Sequence, residues 1–163
     1  NAYVPNEKLS GEPNNPKDFL GANTGYNNVL IYKSHLINWV KKVAAEAKQK
    51  GKILIAFSHY PMVDFNDDAS PELKQLFGAN KMQLQRVPDE EVAQQFADAG
   101  IQIHFGGHMH INDTGVRTSP NRNTLFNIQT PSLAAYMPAY KILTIHSDSE
   151  LEVETVVIGK IVF

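Results

Sequence analysis

The fold is decided by the stretch SHLINWVKKVAAEAKQKGKILIAFSHYP, which runs from Ser34 to Pro61. Its first part places apolar residues at helical spacing and ends at Gly51 after two lysines, which is typical of an amphipathic helix. The run Ile53–Phe57 (ILIAF) follows directly, and a short unbroken apolar run indicates a strand covered on both faces, as in a parallel sheet. The stretch therefore predicts a helix followed by one strand of an α/β sheet.

A second helix and strand repeat this pattern further along the chain. Pro88 and Asp89 open the helix, Gly100 ends it, and the next strand runs over residues 101–105. Two helix and strand units in series predict parallel strands joined by right-handed crossovers. A short helix is expected between them, over residues 71–77.

The two ends of the chain differ from this middle part. The first thirty residues are rich in Asn, Pro and Gly, which predicts a loop-rich segment over residues 1–30. Later strands are predicted at Thr124–Gln129, Lys141–His146 and Leu151–Ile158, the last two joined by a hairpin turn at residues 147–150. Residues 31–163 are therefore predicted to form one α/β unit, a parallel or mixed sheet followed by antiparallel strands.

Composition and charge exclude several functional classes. The 163 residues include 15 basic and 17 acidic side chains, and the isoelectric point is near 6.3, so general nucleic-acid binding is not expected. The chain has no cysteine, which leaves histidine and carboxylate as metal ligands. No apolar run approaches the roughly 20 residues of a membrane span, so we expect a soluble chain. Because the first residue is not methionine, we expect Asn1 and Ala2 to derive from cloning and the chain to begin inside a longer protein.

Three histidines follow the two predicted parallel strands. His59 lies two residues after the first strand, in FSHYP, and His108 and His110 follow the second strand, in FGGHMH. Ligand-binding residues of open α/β sheets lie just past the carboxyl ends of parallel strands, and neutral imidazole is a common metal ligand. If the strands are neighbours, the three imidazoles converge on one crevice, where Gly106 and Gly107 let the backbone turn sharply and approach a ligand. We therefore predict a metal site formed by the three histidines.

The remaining histidines and the nearby aspartates receive structural interpretations. His104 is placed on the outward face of its strand, and neither it nor the other two histidines, His35 and His146, is proposed as a ligand. The aspartates are interpreted as turn and helix-capping residues, namely Asp64, Asp67, Asp68 and Asp113.

The motifs FSHYP and GGHMH, with the helix and strand before the first, closely resemble the C-terminal half of the calcineurin-like metallophosphoesterase superfamily. The resemblance covers nearly the whole chain from about residue 30. It implies an αββα sandwich of two β-sheets flanked by helices, with a dinuclear metal centre at the sheet edge. By this resemblance His59 and His108 are ligands of one metal, and His110 is a ligand of the other.

The chain departs from the family pattern in one decisive way. The Asp-x-His, Gly-Asp and Gly-Asn-His motifs, which carry the family's other ligands, do not occur in these 163 residues, and the resemblance implies that they lie upstream. Tyr60 stands where many members have a second histidine. It is interpreted either as a hydrogen-bond donor to a substrate oxygen or as a packed loop aromatic, and Gly107 is the other candidate for contact with substrate.

The resemblance implies hydrolysis of a phosphate mono- or diester by metal-activated water, with two divalent ions such as Mn, Fe or Zn in the complete enzyme. This chain would carry half of that site, so we expect it to bind at most one ion, weakly, and to be inactive alone. No catalytic residue is assigned beyond the ligands. Two alternatives stay open, a mononuclear zinc hydrolase and a degenerate scaffold that binds protein. The expected partners are a phosphate-ester substrate, the missing N-terminal half of the domain and a second copy of the chain.

Overall fold

The computed structural model describes residues 10–11, 25–27, 29–78, 81–135, 137–146 and 150–159. Most of the predicted loop-rich segment 1–30 and most of the hairpin turn at 147–150 lie outside the described residues. The helices are α1 (Val29–Tyr32), α2 (Ser34–Gln49), α3 (Ser70–Phe77), a 3₁₀-helix (Lys81–Arg86) and α4 (Glu90–Asp98). The strands are β1 (Ile55–Phe57), β2 (Ile103–Gly106), β3 (Thr114–Thr118), β4 (Thr124–Gln129), β5 (Ala139–Ile145) and β6 (Leu151–Val157). None of the described helices combines the length and the hydropathy that crossing a membrane requires.

The larger sheet has four strands in the order β1, β2, β4, β3. Strands β1 and β2 are parallel, with Ile55 opposite Ile103 and Phe57 opposite Phe105, as the two helix and strand units predict. Strand β4 is also parallel to β2, and β3 pairs with β4 in the antiparallel direction. Strands β5 and β6 form a separate antiparallel sheet. The prediction of a mixed α/β fold with a parallel or mixed sheet followed by antiparallel strands is confirmed.

The hydrophobic core lies on one face of the four-stranded sheet. Val40 of α2, Phe96 of α4 and Val63 of the loop after β1 are buried in one cluster with Leu125 of β4. Burial of an aliphatic or aromatic side chain of this kind contributes about 1.5–3 kcal/mol. This layer therefore holds α2 and α4 against the sheet.

The opposite face of the same sheet is apolar, and three of its side chains, Phe57, Val116 and Phe126, are exposed in the described part of the chain. We call it the apolar sheet face; cross-strand register places on it Ile55, Phe57, Ile103, Phe105, Val116, Phe126 and Ile128. Phe57 stacks on Phe105 with ring centroids 5.2 Å apart, yet Phe57 is 71% exposed. The apolar run predicts a strand covered on both faces in the complete domain, and within the described residues the core covers only the side that carries Ala56.

Strand β3 was not predicted from the sequence. Its residues, Thr114–Thr118 (TGVRT), show no apolar alternation, and Asp113 before them was interpreted as a turn residue. The strand forms because its backbone pairs along its whole length with β4, which supplies hydrogen bonds that no local pattern encodes. Gly115 in this strand is buried against the backbone of Asp64, in the loop after β1.

We predict that Gly115→Ala destabilises the fold by about 1–3 kcal/mol, because overpacking a buried position forces the backbone to shift. A methyl group at Gly115 would overlap the carbonyl group of Asp64, which is backbone and cannot rotate away. Gly159→Ala is the matched control, since a methyl group there meets no atom of the described residues within 4 Å. Chemical denaturation followed by circular dichroism measures both variants, and equal midpoints for them would contradict the packing described here.

We also predict that the apolar sheet face causes association, because exposed apolar patches of several hundred Å² usually mark an interface. Light scattering over a concentration series should give masses above the 18.2 kDa of the single chain. Phe57→Ser should shift the chain toward the monomer. Phe77→Ser, which changes an exposed phenylalanine of α3 outside this face, should not. A strictly monomeric chain at high concentration would count against the prediction.

Candidate metal centre

The loops that follow β1 and β2 meet at the carboxyl ends of the two strands. Backbone pairing continues past the strands: Ser58 donates its N–H to the carbonyl of Phe105 at 3.1 Å, and Gly107 donates to the carbonyl of His59 at 3.0 Å. The imidazoles of His59 and His108 therefore lie side by side, with His108 Nδ1 2.8 Å from His59 Nε2. The structure thus brings together two of the three predicted ligands.

His110 stands apart from this pair. Its side chain is exposed, and the described residues contain no group of three histidine, aspartate or glutamate side chains that could hold a metal ion. His110 is nevertheless close enough for its charge to lower the pKa of His108. The structure therefore does not show the three-imidazole cluster expected from the sequence, and ligation by His110 stays a prediction.

The backbone of the GGHMH loop turns sharply at its two histidines. His108 and His110 both have a left-handed backbone, with φ of 65° and 56°. This conformation costs of order 1–3 kcal/mol for a residue other than glycine, and it is concentrated at functional sites. Gly107 does not adopt it, and a methyl group there would make an ordinary contact, 3.7 Å from the carbonyl oxygen of His59. The expected close approach to a ligand at Gly107 stays a prediction.

His108 has a lowered pKa. Burial lowers the pKa of its imidazole to about 4, and the positive charges of Arg86, His59 and His110 add to the effect. Its Nε2 atom is buried and has no hydrogen-bond partner among the described residues. The ring is therefore neutral at pH 7, and neutral imidazole is the form that binds metal ions.

Tyr60 packs against both histidines of the pair. Its ring centroid lies 4.9 Å from that of His59 and 4.7 Å from that of His108, and Tyr26 contacts it edge-on at 6.2 Å. Only 7% of Tyr60 is exposed. This burial favours the interpretation of Tyr60 as a packed loop aromatic, and its contact with a substrate oxygen stays a prediction.

The nearby aspartates take part in local contacts. Asp64 accepts hydrogen bonds from the backbone and side chain of Ser70, at the start of α3. Asp68 forms an ion pair with Arg117 at 2.5 Å. Asp113 accepts the N–H of the residue that follows it. The contacts of Asp64 and Asp113 agree with their interpretation as turn and capping residues, whereas Asp68 pairs with Arg117 of β3.

His104 lies beneath the two loops, and the prediction that it faces outward is wrong. The residue is fully buried, with Nε2 2.7 Å from Ser58 Oγ and Nδ1 2.7 Å from Asn127 Oδ1. The same Asn127 oxygen accepts the N–H of Met62 at 2.9 Å. We call these four residues the buried polar network. The ring can be buried because both its nitrogens are hydrogen-bonded, and these partners are distant in sequence.

Gln129 is buried beside the same network. Its side-chain amide has no hydrogen-bond partner among the described residues. Gly106 lies opposite it on β2, and a methyl group there would lie 2.9 Å from Gln129 Nε2 and 3.1 Å from His104 Cε1. Gly106 therefore allows these polar groups to approach each other below the histidine loops. The sequence signal that was missed is a set of polar residues at alternate positions of adjacent strands, which native proteins bury mainly when they are hydrogen-bonded.

Comparisons with known proteins assign no family to this chain. A scan against protein-family models finds no match, and a search of curated proteins finds no significant similarity.

The buried polar network makes the stability of the fold depend on pH. Burial lowers the pKa of His104 to about 4 from 6.5, so between these pH values the unfolded chain binds a proton that the native chain does not. Stability therefore falls as the pH falls through this window, by up to about 3 kcal/mol. Urea denaturation at pH 7.5 and pH 4.5 measures the loss. His104→Gln should show a smaller loss, since His108 is present in both proteins and cancels in the comparison; an equal loss would contradict the prediction.

Proposed function

We propose that this chain is the C-terminal part of a metal-dependent phosphoesterase of the calcineurin-like type, which hydrolyses a phosphate mono- or diester. One observation carries the proposal: two imidazole nitrogens face each other at the carboxyl ends of adjacent parallel strands. Two nitrogens at about 2.0–2.1 Å from one metal ion are about 2.9 Å apart at a right angle and about 3.3 Å apart at the tetrahedral angle. The 2.8 Å between His59 Nε2 and His108 Nδ1 is a hydrogen-bond distance, and a further separation by a few tenths of an ångström would let both rings ligate one cation.

The chemistry of the two rings fits this role. The lowered pKa of His108 keeps a lone pair on the ring at neutral pH, and ligation through Nδ1 leaves the ring proton on Nε2. Tyr60 packs on both rings and restricts their orientation. When bound, divalent cations supply Lewis-acid stabilisation of phosphate oxygens and activate water for attack. His110, exposed two residues further on, would reach a second cation.

On the family resemblance, the proposal assigns the other ligands to a part of the protein outside these 163 residues. Two divalent cations about 4 Å apart repel each other strongly at low dielectric, and carboxylates normally offset this repulsion. Neutral imidazoles carry no such charge, and Asp64 and Asp68, in the loop after β1, are engaged with Ser70 and Arg117. We therefore expect the 163-residue chain to bind at most one ion, weakly.

Metal titration tests the ligand pair. Calorimetry with Zn²⁺ or Mn²⁺ should give no more than one site per chain, and His59→Ala or His108→Ala should abolish the binding, because each removes one of only two converging nitrogens. His35→Ala, which removes an exposed histidine of α2, is the matched control and should leave the binding unchanged. Binding that survives both site substitutions would show that the ligands are elsewhere.

Measurements of phosphoester hydrolysis by the chain and by its parent protein distinguish the proposed function from its two alternatives. The 163-residue chain should not hydrolyse an aryl phosphate mono- or diester above a metal-only blank. The parent protein that supplies the upstream ligands should be active and should lose orders of magnitude in turnover with His108→Ala or His110→Ala. Robust hydrolysis by the chain alone would favour a mononuclear hydrolase, and an inactive parent with intact upstream motifs would favour a scaffold.

A further inference from the structure

The hydrogen bonds of the buried polar network have a defined direction. Asn127 Oδ1 accepts the backbone N–H of Met62, so this atom is a carbonyl oxygen and cannot donate. His104 Nδ1 therefore carries the ring proton and donates it to Asn127, and Nε2 accepts from the hydroxyl of Ser58. The carbonyl of Tyr60 is a weaker competitor for that hydroxyl, at 3.4 Å. A single neutral tautomer of His104 thus satisfies the network.

The network connects to both ends of the segment that carries His59. Ser58 immediately precedes His59, and Met62 follows it by three residues. Ser58 bonds His104 directly, and Met62 bonds the same Asn127 oxygen as His104 does. The buried imidazole of His104 and the buried amide of Asn127 therefore hydrogen-bond to the two ends of the five-residue loop 58–62.

An aliphatic core residue at position 104 would not hold the loop of residues 58–62 in this way. His104 lies on the core-facing side of β2, in register with Ala56 of β1, where an aliphatic side chain would pack without any polar requirement. An aliphatic residue would leave the hydroxyl of Ser58 without its short partner, while the Met62 bond to Asn127 would remain. Burying a polar ring is tolerated only when its partners are in place, so the ring and the loop specify each other's position.

We propose that His104 is a positioning residue for the candidate metal centre: through Ser58 and Asn127 it holds the loop of residues 58–62 so that His59 faces His108. The inference rests on the proposed function only in that it treats this pair as metal ligands. Whether the rings of His59 and His108 face each other can be measured without metal or substrate. Groups hydrogen-bonded to a metal ligand typically change metal affinity by about 10- to 100-fold when they are lost, and this range bounds the effect of His104, which acts on His59 through the loop.

The test compares four variants of the chain by NMR. The wild type should show a nuclear Overhauser effect between the ring protons of His59 and His108. His104→Leu and Ser58→Ala should weaken or abolish it, and His104→Gln, whose amide oxygen can still accept from Ser58, should retain part of it. Val92→Ala is the matched control: it removes buried apolar contacts from α4 outside the network and should lower stability while the His59–His108 signal persists.

Cross-strand signals between Thr118 and Thr124 report whether each variant is folded, because these residues pair at the far end of β3 and β4. A folded His104→Leu chain with an unchanged His59–His108 signal would overturn the inference. If His104→Leu does not fold, Ser58→Ala, which removes one hydroxyl, decides the question by the same criterion. Zn²⁺ affinity should fall by about 10- to 100-fold in the variants that lose the signal. A wild type that shows the ring contact but binds no cation would contradict the proposed function and leave the positioning role intact.

Discussion

The parallel pairing of β1 with β2 is the constraint on which the candidate site depends. With Phe57 opposite Phe105, backbone pairing continues two residues further and sets His59 beside Gly107. His108 follows Gly107, and its left-handed backbone brings its ring next to that of His59. The His59–His108 pair therefore depends on the register of the two strands and on the turn that follows β2.

The two faces of this sheet reverse the usual distribution of polar and apolar groups. The core-facing side carries His104, Asn127 and Gln129, all fully buried, whereas the other side carries aromatic and aliphatic residues, of which Phe57, Val116 and Phe126 are exposed in the described part of the chain. His104 and Asn127 hydrogen-bond to the loop after β1 through Ser58 and Met62, whereas the side-chain amide of Gln129 has no hydrogen-bond partner among the described residues. The polar face thus connects the packing of the core to the geometry of the site. The apolar sheet face is the surface through which we expect the chain to associate.

Local patterns identified much of the fold, because the helices and most strands have periodic or unbroken apolar sequences. Helix α2, strand β4 and the position of β2 follow from spacing and from the residues at their ends. The same rules failed where a residue's environment depends on distant partners. Strand β3 exists because β4 lies beside it, and β1 is exposed on one side because no described residue covers Phe57 fully. Neither property can be predicted from the sequence of the strand alone.

The amino-acid sequence determined which residues could hold a metal ion, since histidines placed just after two apolar strands are the available nitrogen ligands of a chain without cysteine. It also determined the helix and strand order that makes those strands parallel neighbours. Only the tertiary structure decided that His59 and His108 meet while His110 stands apart, because left-handed turns at His108 and His110 set where each ring lies. It also decided that His104 is buried. Ser58 and Asn127 satisfy that ring from 46 and 23 residues away, and hydrogen bonds across such separations depend on how the strands pack together.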